Sequence, residues 1–157
     1  MRQFSIEEVI AHSGLTRGQI DQFIGRWGYG IYGSPGPFRC RMFCATDLFN
    51  LMLVGTLRQL GLSMPAIRDI VVGGLGMYRW DTDLNRPADM FPGQAYGSGV
   101  RQFIVLRQSE GCWYRQVVKA EDLRGTYGPR GTTALLIDAT GYVDRIHAAA
   151  LLEDFAS

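Results

Sequence analysis

The chain has no run approaching the roughly 18 consecutive apolar residues that span a bilayer. Its longest apolar stretch, residues 48–54, is broken by Asn50 and followed by Gly55, so neither a membrane span nor a membrane partner is expected. The segment Met-Arg-Gln-Phe-Ser-Ile-Glu-Glu lacks the apolar core and small-residue cleavage site of a secretory signal, which points to the cytoplasm. Cysteine is scarce. Cys40, Cys44 and Cys112 are odd in number and form no C-x-x-C pair, which argues against a disulfide framework. A zinc site built on Cys40 and Cys44 would need further ligands from Cys112, His12 and His147, all distant in sequence, so no metal is expected. Catalytic signatures are missing too. There is no Gly-x-Ser-x-Gly and no P-loop, His12 and His147 fall in separate halves, and Gly73, Gly74 and Gly76 follow a helical pattern instead of a strand. Asp81, Asp83 and Asp89 could offer oxygen ligands to Mg²⁺, but they read as an exposed charged loop. No enzyme activity and no cofactor are expected.

What is present suits a folded chain. Its 157 residues are 46% hydrophobic and 20% charged. That composition supplies a core and a polar surface, for one ordinary domain or two compact ones. The net charge of +1 neither demands nor excludes a nucleic-acid partner, so the distribution has to decide. Residues 1–75 carry seven Arg against five acids, and residues 76–157 carry nine Lys plus Arg against ten acids. The positive excess belongs to the first half.

Ser5 and Glu8 form a Ser-x-x-Glu capping box, and Ile6, Val9 and Ile10 follow at helical spacing, so a short helix is predicted to run to Ser13 and stop at Gly14. Thr16 and Gln19 repeat the box. Ile20, Phe23, Ile24 and Trp27 then mark one apolar stripe of a second helix over residues 17–27. Two capped helices joined by a short Gly-containing turn match a helix-turn-helix, whose second helix can enter a major groove. Any small helical hairpin has the same outline. Residues 28–43 place a Ser-Pro-Gly-Pro turn between two β-compatible stretches, which predicts a two-stranded ribbon. Arg39 and Arg41 alternate with Phe38, Cys40 and Met42, so both guanidinium groups project from one face, where they can clamp phosphates or simply be solvated. A third helix opens at Thr46 and Asp47. Its apolar residues Leu48, Phe49, Leu51, Met52, Leu53, Val54, Leu57 and Leu60 wrap the helix instead of lining one stripe, which makes it the buried centre. Ser63 caps a fourth, with Pro65 in its first turn and Ile67, Ile70 and Val71 facing inward until Gly73 and Gly74.

This ordered series resembles the DNA-binding domain of MerR-type transcription regulators over about residues 4–72. The residues that carry the likeness are Phe4-Ser5-Ile6-x-x-Val9, Ser13-Gly14-Leu15-Thr16, Arg41-x-Phe43 leading to Asp47-Leu48, and Leu57-Arg58-Gln59-Leu60-Gly61-Leu62-Ser63-x-x-x-Ile67-Arg68. The last of these is the most specific. The resemblance implies a prokaryotic winged helix-turn-helix that binds double-stranded DNA as a homodimer, with the ribbon as a wing on the sugar-phosphate backbone. Arg17, Gly18, Gln22 and Arg26 lie off the apolar stripe and are the candidates for contact by the recognition helix. Arg39 and Arg41 serve the wing. Ser5 and Thr16 hold helix N-termini near phosphates as well as capping them. Two departures stand out. The resembled helix carries Arg and an aromatic pair where this one has Asp21, Gln22 and Phe23. Asp21 either accepts from a cytosine amino group, or pairs with a neighbouring Arg, or weakens DNA binding. No heptad run follows Gly74, so the coiled coil of that family is missing and its metal or drug sensing does not transfer.

The rest reads as a linker, residues 75–100, rich in Gly and aromatics, and a small domain over residues 101–157. Strands are predicted over residues 102–108, 112–119 and 132–137, then a helix over about residues 139–154 carrying Val143, Ile146, His147, Ala150 and Leu151. The expected fold is therefore α+β, a helical winged helix-turn-helix domain over residues 1–74 followed by a β-β-β-α domain. That second domain can dimerise, bind an effector, or contact RNA polymerase or another regulator. Dimerisation is favoured because one helix and wing cover only a half-site. Two other functions remain open: an excisionase-like architectural factor that bends DNA, and a protein-binding antiactivator that has lost DNA binding.

Overall fold

The computed structural model of the chain describes residues 3–27, 34–35, 41–73, 80–81, 86–87, 101–123 and 134–154, and its architecture is mixed α+β. The chain divides into two compact units, Met1–Val72 with Ile146–Ser157 and Gly73–Arg145.

The first unit begins with α1 (Ile6–Ser13) and α2 (Arg17–Trp27). Both capping boxes form. The Ser5 amide donates to Glu8 Oε2 at 2.7 Å and the Glu8 amide to Ser5 Oγ at 3.2 Å. The Thr16 amide donates to Gln19 Oε1 at 2.8 Å and the Gln19 amide to Thr16 Oγ1 at 3.3 Å. These bonds satisfy amide donors that a helix start leaves without partners. Gly14 closes α1 in the left-handed region at φ 68°, its amide donating to the Ile10 carbonyl at 3.0 Å. The buried Ser13 tightens the same turn, its hydroxyl donating to the Val9 carbonyl at 2.6 Å and accepting from the Leu15 amide at 3.2 Å.

The predicted ribbon is present as β1 (Ser34–Pro35) and β2 (Arg41–Met42), antiparallel, with Ser34 opposite Met42 and Pro35 opposite Arg41. Ser34 and Pro35 are thus strand residues and not the turn their composition suggested. Every strand of a two-stranded ribbon is an edge, where the missing Pro N–H is tolerated. The ribbon is tied back to the start of the chain, because Phe4 and Phe43 exchange backbone hydrogen bonds of 2.7 and 2.9 Å. Both rings are buried.

Helix α3 (Ala45–Gln59) is the centre of the unit, as its wrapped apolar pattern predicts. Leu48, Leu51, Leu53, Val54 and Leu57 are each fully buried, and full burial of such a side chain stabilises by about 1.5–3 kcal/mol. The helix starts one residue earlier than expected. Asp47 sits in its first turn and accepts from the Cys44 amide at 3.0 Å. Ser63 then caps α4 (Met64–Arg68), accepting from the Ala66 amide at 3.4 Å, and the helix widens into a π-type turn over Asp69–Gly73. Ile67, Ile70 and Val71 face inward as predicted.

In the second unit the segment read as a linker rich in Gly and aromatics contains a short ribbon, β3 (Trp80–Asp81) against β4 (Arg86–Pro87). A three-stranded antiparallel sheet follows, built from β5 (Gln102–Ser109), β6 (Cys112–Lys119) and β7 (Ala134–Asp138) in the order β6-β5-β7. A two-residue turn joins β5 to β6 through Glu110 and Gly111, both at positive φ (51° and 79°), the conformation a tight hairpin with native twist requires. Strand β7 ends one residue later than predicted, and residues 132–133 of the expected strand lie outside the described residues. The last helix, α5 (Ala139–Asp154), matches its expected span and buries Ala139, Tyr142, Val143, Ile146 and Ala149. The division into units runs through it, so residues 146–157 group with the amino-terminal unit.

The β7–α5 junction is held by charge. Arg101 donates from Nη2 to Asp138 Oδ2 at 2.6 Å and from Nε at 3.2 Å, while the Gly141 amide donates to Asp138 Oδ1 at 3.2 Å. The Arg101 guanidinium also lies 5.2 Å from the centre of the Phe103 ring, and the Gln102 amide donates to Thr140 Oγ1 at 2.7 Å. Burial pushes the Asp138 carboxyl up, but the hydrogen bonds from Arg101 and Gly141, the Arg101 charge and the Thr140 backbone outweigh it, leaving the group below its usual range. A carboxyl whose folded value is depressed contributes stability above its unfolded value and loses it as pH falls through the folded one. The expected result is that melting of the wild-type chain is more acid-sensitive in that window than melting of Asp138→Asn. Identical pH dependence of the two melting curves would remove the junction from the account.

Candidate nucleic-acid interface

The turn between α1 and α2 is three residues long, Gly14, Leu15 and Thr16, with Leu15 buried and Thr16 exposed. Buried Leu15 anchors the turn, and Ser13 and Gly14 fix its backbone, so the start of α2 is held relative to α1. Along α2, Ile20 and Phe23 are buried and Ile24 is half-buried, as the predicted inner stripe requires, while the side chain of Trp27 is outside the described residues. The opposite face exposes Arg17, Gly18, Asp21, Gln22 and Gly25, positions that fall together at 3.6 residues per turn. Three of the four proposed contact residues of this helix therefore share one exposed face. The fourth, Arg26, lies in the last turn, and its side chain is outside the described residues.

A Cβ added at Gly18 or Gly25 meets nothing within 4 Å, so packing inside the chain requires glycine at neither position. Glycine in a helix is less favourable than alanine by up to about 1 kcal/mol, so two on one exposed face weaken the helix without an internal return.

Arg41 joins the ribbon to this helix. Its Nη1 lies 3.6 Å from Asp21 Oδ1, and the two side chains are 44% and 59% exposed. Of the three roles open to Asp21, the pairing with a neighbouring arginine is thus present in the structure. The face carries the guanidinium groups of Arg17 and Arg41, the carboxylate of Asp21 and the exposed side chain of Gln22. Arg39 lies outside the described residues. Ser5 is half-buried and Thr16 exposed, and each hydroxyl oxygen already accepts an amide proton in its capping box. Its own proton is left to donate.

Pattern reading missed one member of the surface and one backbone tie buried behind the ribbon. Gly25 was hidden because glycine gives no periodic signal, although its i+4 spacing from Asp21 was visible. The Phe4 to Phe43 bridge was hidden because it joins segments 39 residues apart. Among the described residues no group of three or more His, Cys, Asp or Glu gathers at metal-binding distance, and no helix is long and apolar enough to cross a membrane. The chain matches no protein-family model and no curated protein.

Proposed function

We propose that this chain is a sequence-specific binder of double-stranded DNA that regulates transcription in the cytoplasm of a prokaryote, through a MerR-like winged helix-turn-helix and as a homodimer. One observation carries the proposal. Helix α2 follows α1 after a three-residue turn whose three amides are all hydrogen-bonded, and its outer face of Arg17, Gly18, Asp21 and Gln22 is joined to the ribbon by the Arg41 to Asp21 ion pair. A helix presented in this way, with a basic ribbon at its side, has the parts needed to enter a major groove while the ribbon meets the backbone. Arg17 and Gln22 are the base-edge candidates, since a guanidinium donates to guanine O6 and N7 and an amide pairs with adenine N6 and N7. Homodimerisation follows from the need to read two half-sites roughly 34–36 Å apart. The role is one of binding, with no chemistry performed on the nucleic acid.

Selection from a random duplex library with the full chain tests the proposal, and a two-fold symmetric consensus is the expected result. Arg39→Ala combined with Arg41→Ala should weaken binding both to that consensus and to unrelated duplexes, and flatten the slope of log affinity against log salt by up to about two units. An unchanged slope excludes the wing. Recovery of no preferred sequence removes the whole proposal. The Asp21 to Arg41 pair favours one second function, a protein-binding antiactivator, because a surface of mixed charge also suits a protein partner. Capture of another regulator without DNA distinguishes it.

A further inference from the structure

We infer that Asp21 is a specificity-determining residue of the DNA-binding face, accepting a hydrogen bond from the exocyclic amino group of a cytosine in the major groove, with Arg41 as its positioning partner. The inference rests on the DNA-binding function proposed above. An ionised carboxylate has only acceptors to offer, so it repels phosphate oxygens and the acceptor-rich guanine edge and gains only where a base presents a donor. The cytosine 4-amino group is the donor that carboxylates match in that groove. Asp21 stands one residue before Gln22 and four after Arg17, on the face that would lie against the bases. Its side chain is 59% exposed, and the contact with Arg41 is made by Oδ1 at 3.6 Å, which leaves Oδ2 open to an outside donor among the described residues.

The ion pair explains how a negative charge is tolerated on this surface. Arg41, itself 44% exposed, places a positive charge beside the carboxylate, and it comes from the ribbon, the element proposed to meet phosphates. The pair thereby couples backbone contact to base contact. On a duplex without cytosine at the matching position, the carboxylate loses water without gaining a donor, and it competes with phosphate for Arg41. The result is a penalty on wrong sequences, a device that produces specificity by weakening binding elsewhere.

The test uses the full chain and three proteins: wild type, Asp21→Asn and Asp21→Ala, each checked for an unchanged melting midpoint. Duplex selection with the wild type is expected to show cytosine at one position of each half-site. Asp21→Asn should shift that position towards adenine, which an amide matches, and Asp21→Ala should erase the preference there while leaving other positions alone. Replacing that cytosine by thymine exchanges the amino donor for a carbonyl acceptor. It should weaken wild-type binding by about ten- to a hundredfold and Asp21→Ala binding far less. Affinity for an unrelated duplex should rise in both variants. If the wild type selects a consensus that neither variant alters, the assignment of Asp21 falls while DNA binding stands. If the wild type selects no duplex at all, both fall.

Discussion

Gly55→Ala is expected to unfold most of the amino-terminal unit at temperatures where the wild type is intact. A Cβ at position 55 would lie 1.9 Å from the Ser13 carbonyl oxygen and 3.1 Å from the Ser13 carbonyl carbon. The obstruction is backbone, so no side chain can swing aside. The Ser13 segment is also held on both sides, by the Ser13 hydroxyl on Val9 at 2.6 Å, the Leu15 amide on that hydroxyl at 3.2 Å and the Gly14 amide on Ile10 at 3.0 Å. Helices α1 and α3 must therefore part, opening the contact that positions the turn before α2. Overpacking of this kind destabilises by about 3 kcal/mol or more when the neighbours cannot relax. For a domain of this size that corresponds to a fall in melting midpoint of roughly 12 °C or more. The control is the same substitution elsewhere. Gly18→Ala and Gly25→Ala meet no atoms within 4 Å and should leave the midpoint unchanged or raise it, by up to about 1 kcal/mol. A Gly55→Ala midpoint within a few degrees of wild type would show that α1 and α3 are not held as close as the structure places them.

Gly55 also shows where the sequence stops being informative. Local signals were legible: the Ser5 and Thr16 capping boxes, the Ile20 and Phe23 stripe and the span of α5 all rest on interactions within a few residues. The wrapped apolar pattern of α3 identified the buried centre for the same reason. A close approach between helices leaves no such trace, and Gly55 in the sequence looked only like a break in an apolar run. The Asp21 to Arg41 pair, formed across 20 residues, was one alternative among three until the ribbon had a register. The ribbon turn was misplaced because Ser34 and Pro35 are turn formers by composition, whereas pairing with Arg41 and Met42 is a property of the folded chain. In the second unit, β-branched and aromatic content found the strands, but the short ribbon of Trp80 and Asp81 with Arg86 and Pro87 has too few residues for any period to register.

Asn50→Leu is expected to stabilise the protein, against the usual direction of core substitutions. Asn50 lies in α3 between Phe49 and Leu51 with no exposed surface, and neither its Nδ2 nor its Oδ1 has a hydrogen-bond partner among the described residues. A buried amide in that condition carries its desolvation penalty without return, about 1–3 kcal/mol. Leucine branches at the same carbon and replaces both unpaired polar atoms with methyl groups, so the gain should be of that order, a rise of roughly 5–20 °C in melting midpoint. Asn50→Asp sharpens the test because it places an ionisable carboxyl in the same site. At neutral pH an unpaired buried carboxylate should lower stability by several kcal/mol. Its folded pKa would then lie above the unfolded value, so the deficit relative to wild type should shrink as pH falls towards the ordinary carboxylate range. A lower midpoint for Asn50→Leu would mean that the amide is held by a partner in solution and belongs to the structure as a polar contact. Natural cores are selected to exceed a threshold and not to reach a maximum, so one unfavourable residue at the centre of α3 is compatible with a working fold. Because the substitution touches nothing on the Arg17, Asp21 and Gln22 face, it should leave base preference and salt dependence unchanged, which separates the stability of α3 from recognition by α2.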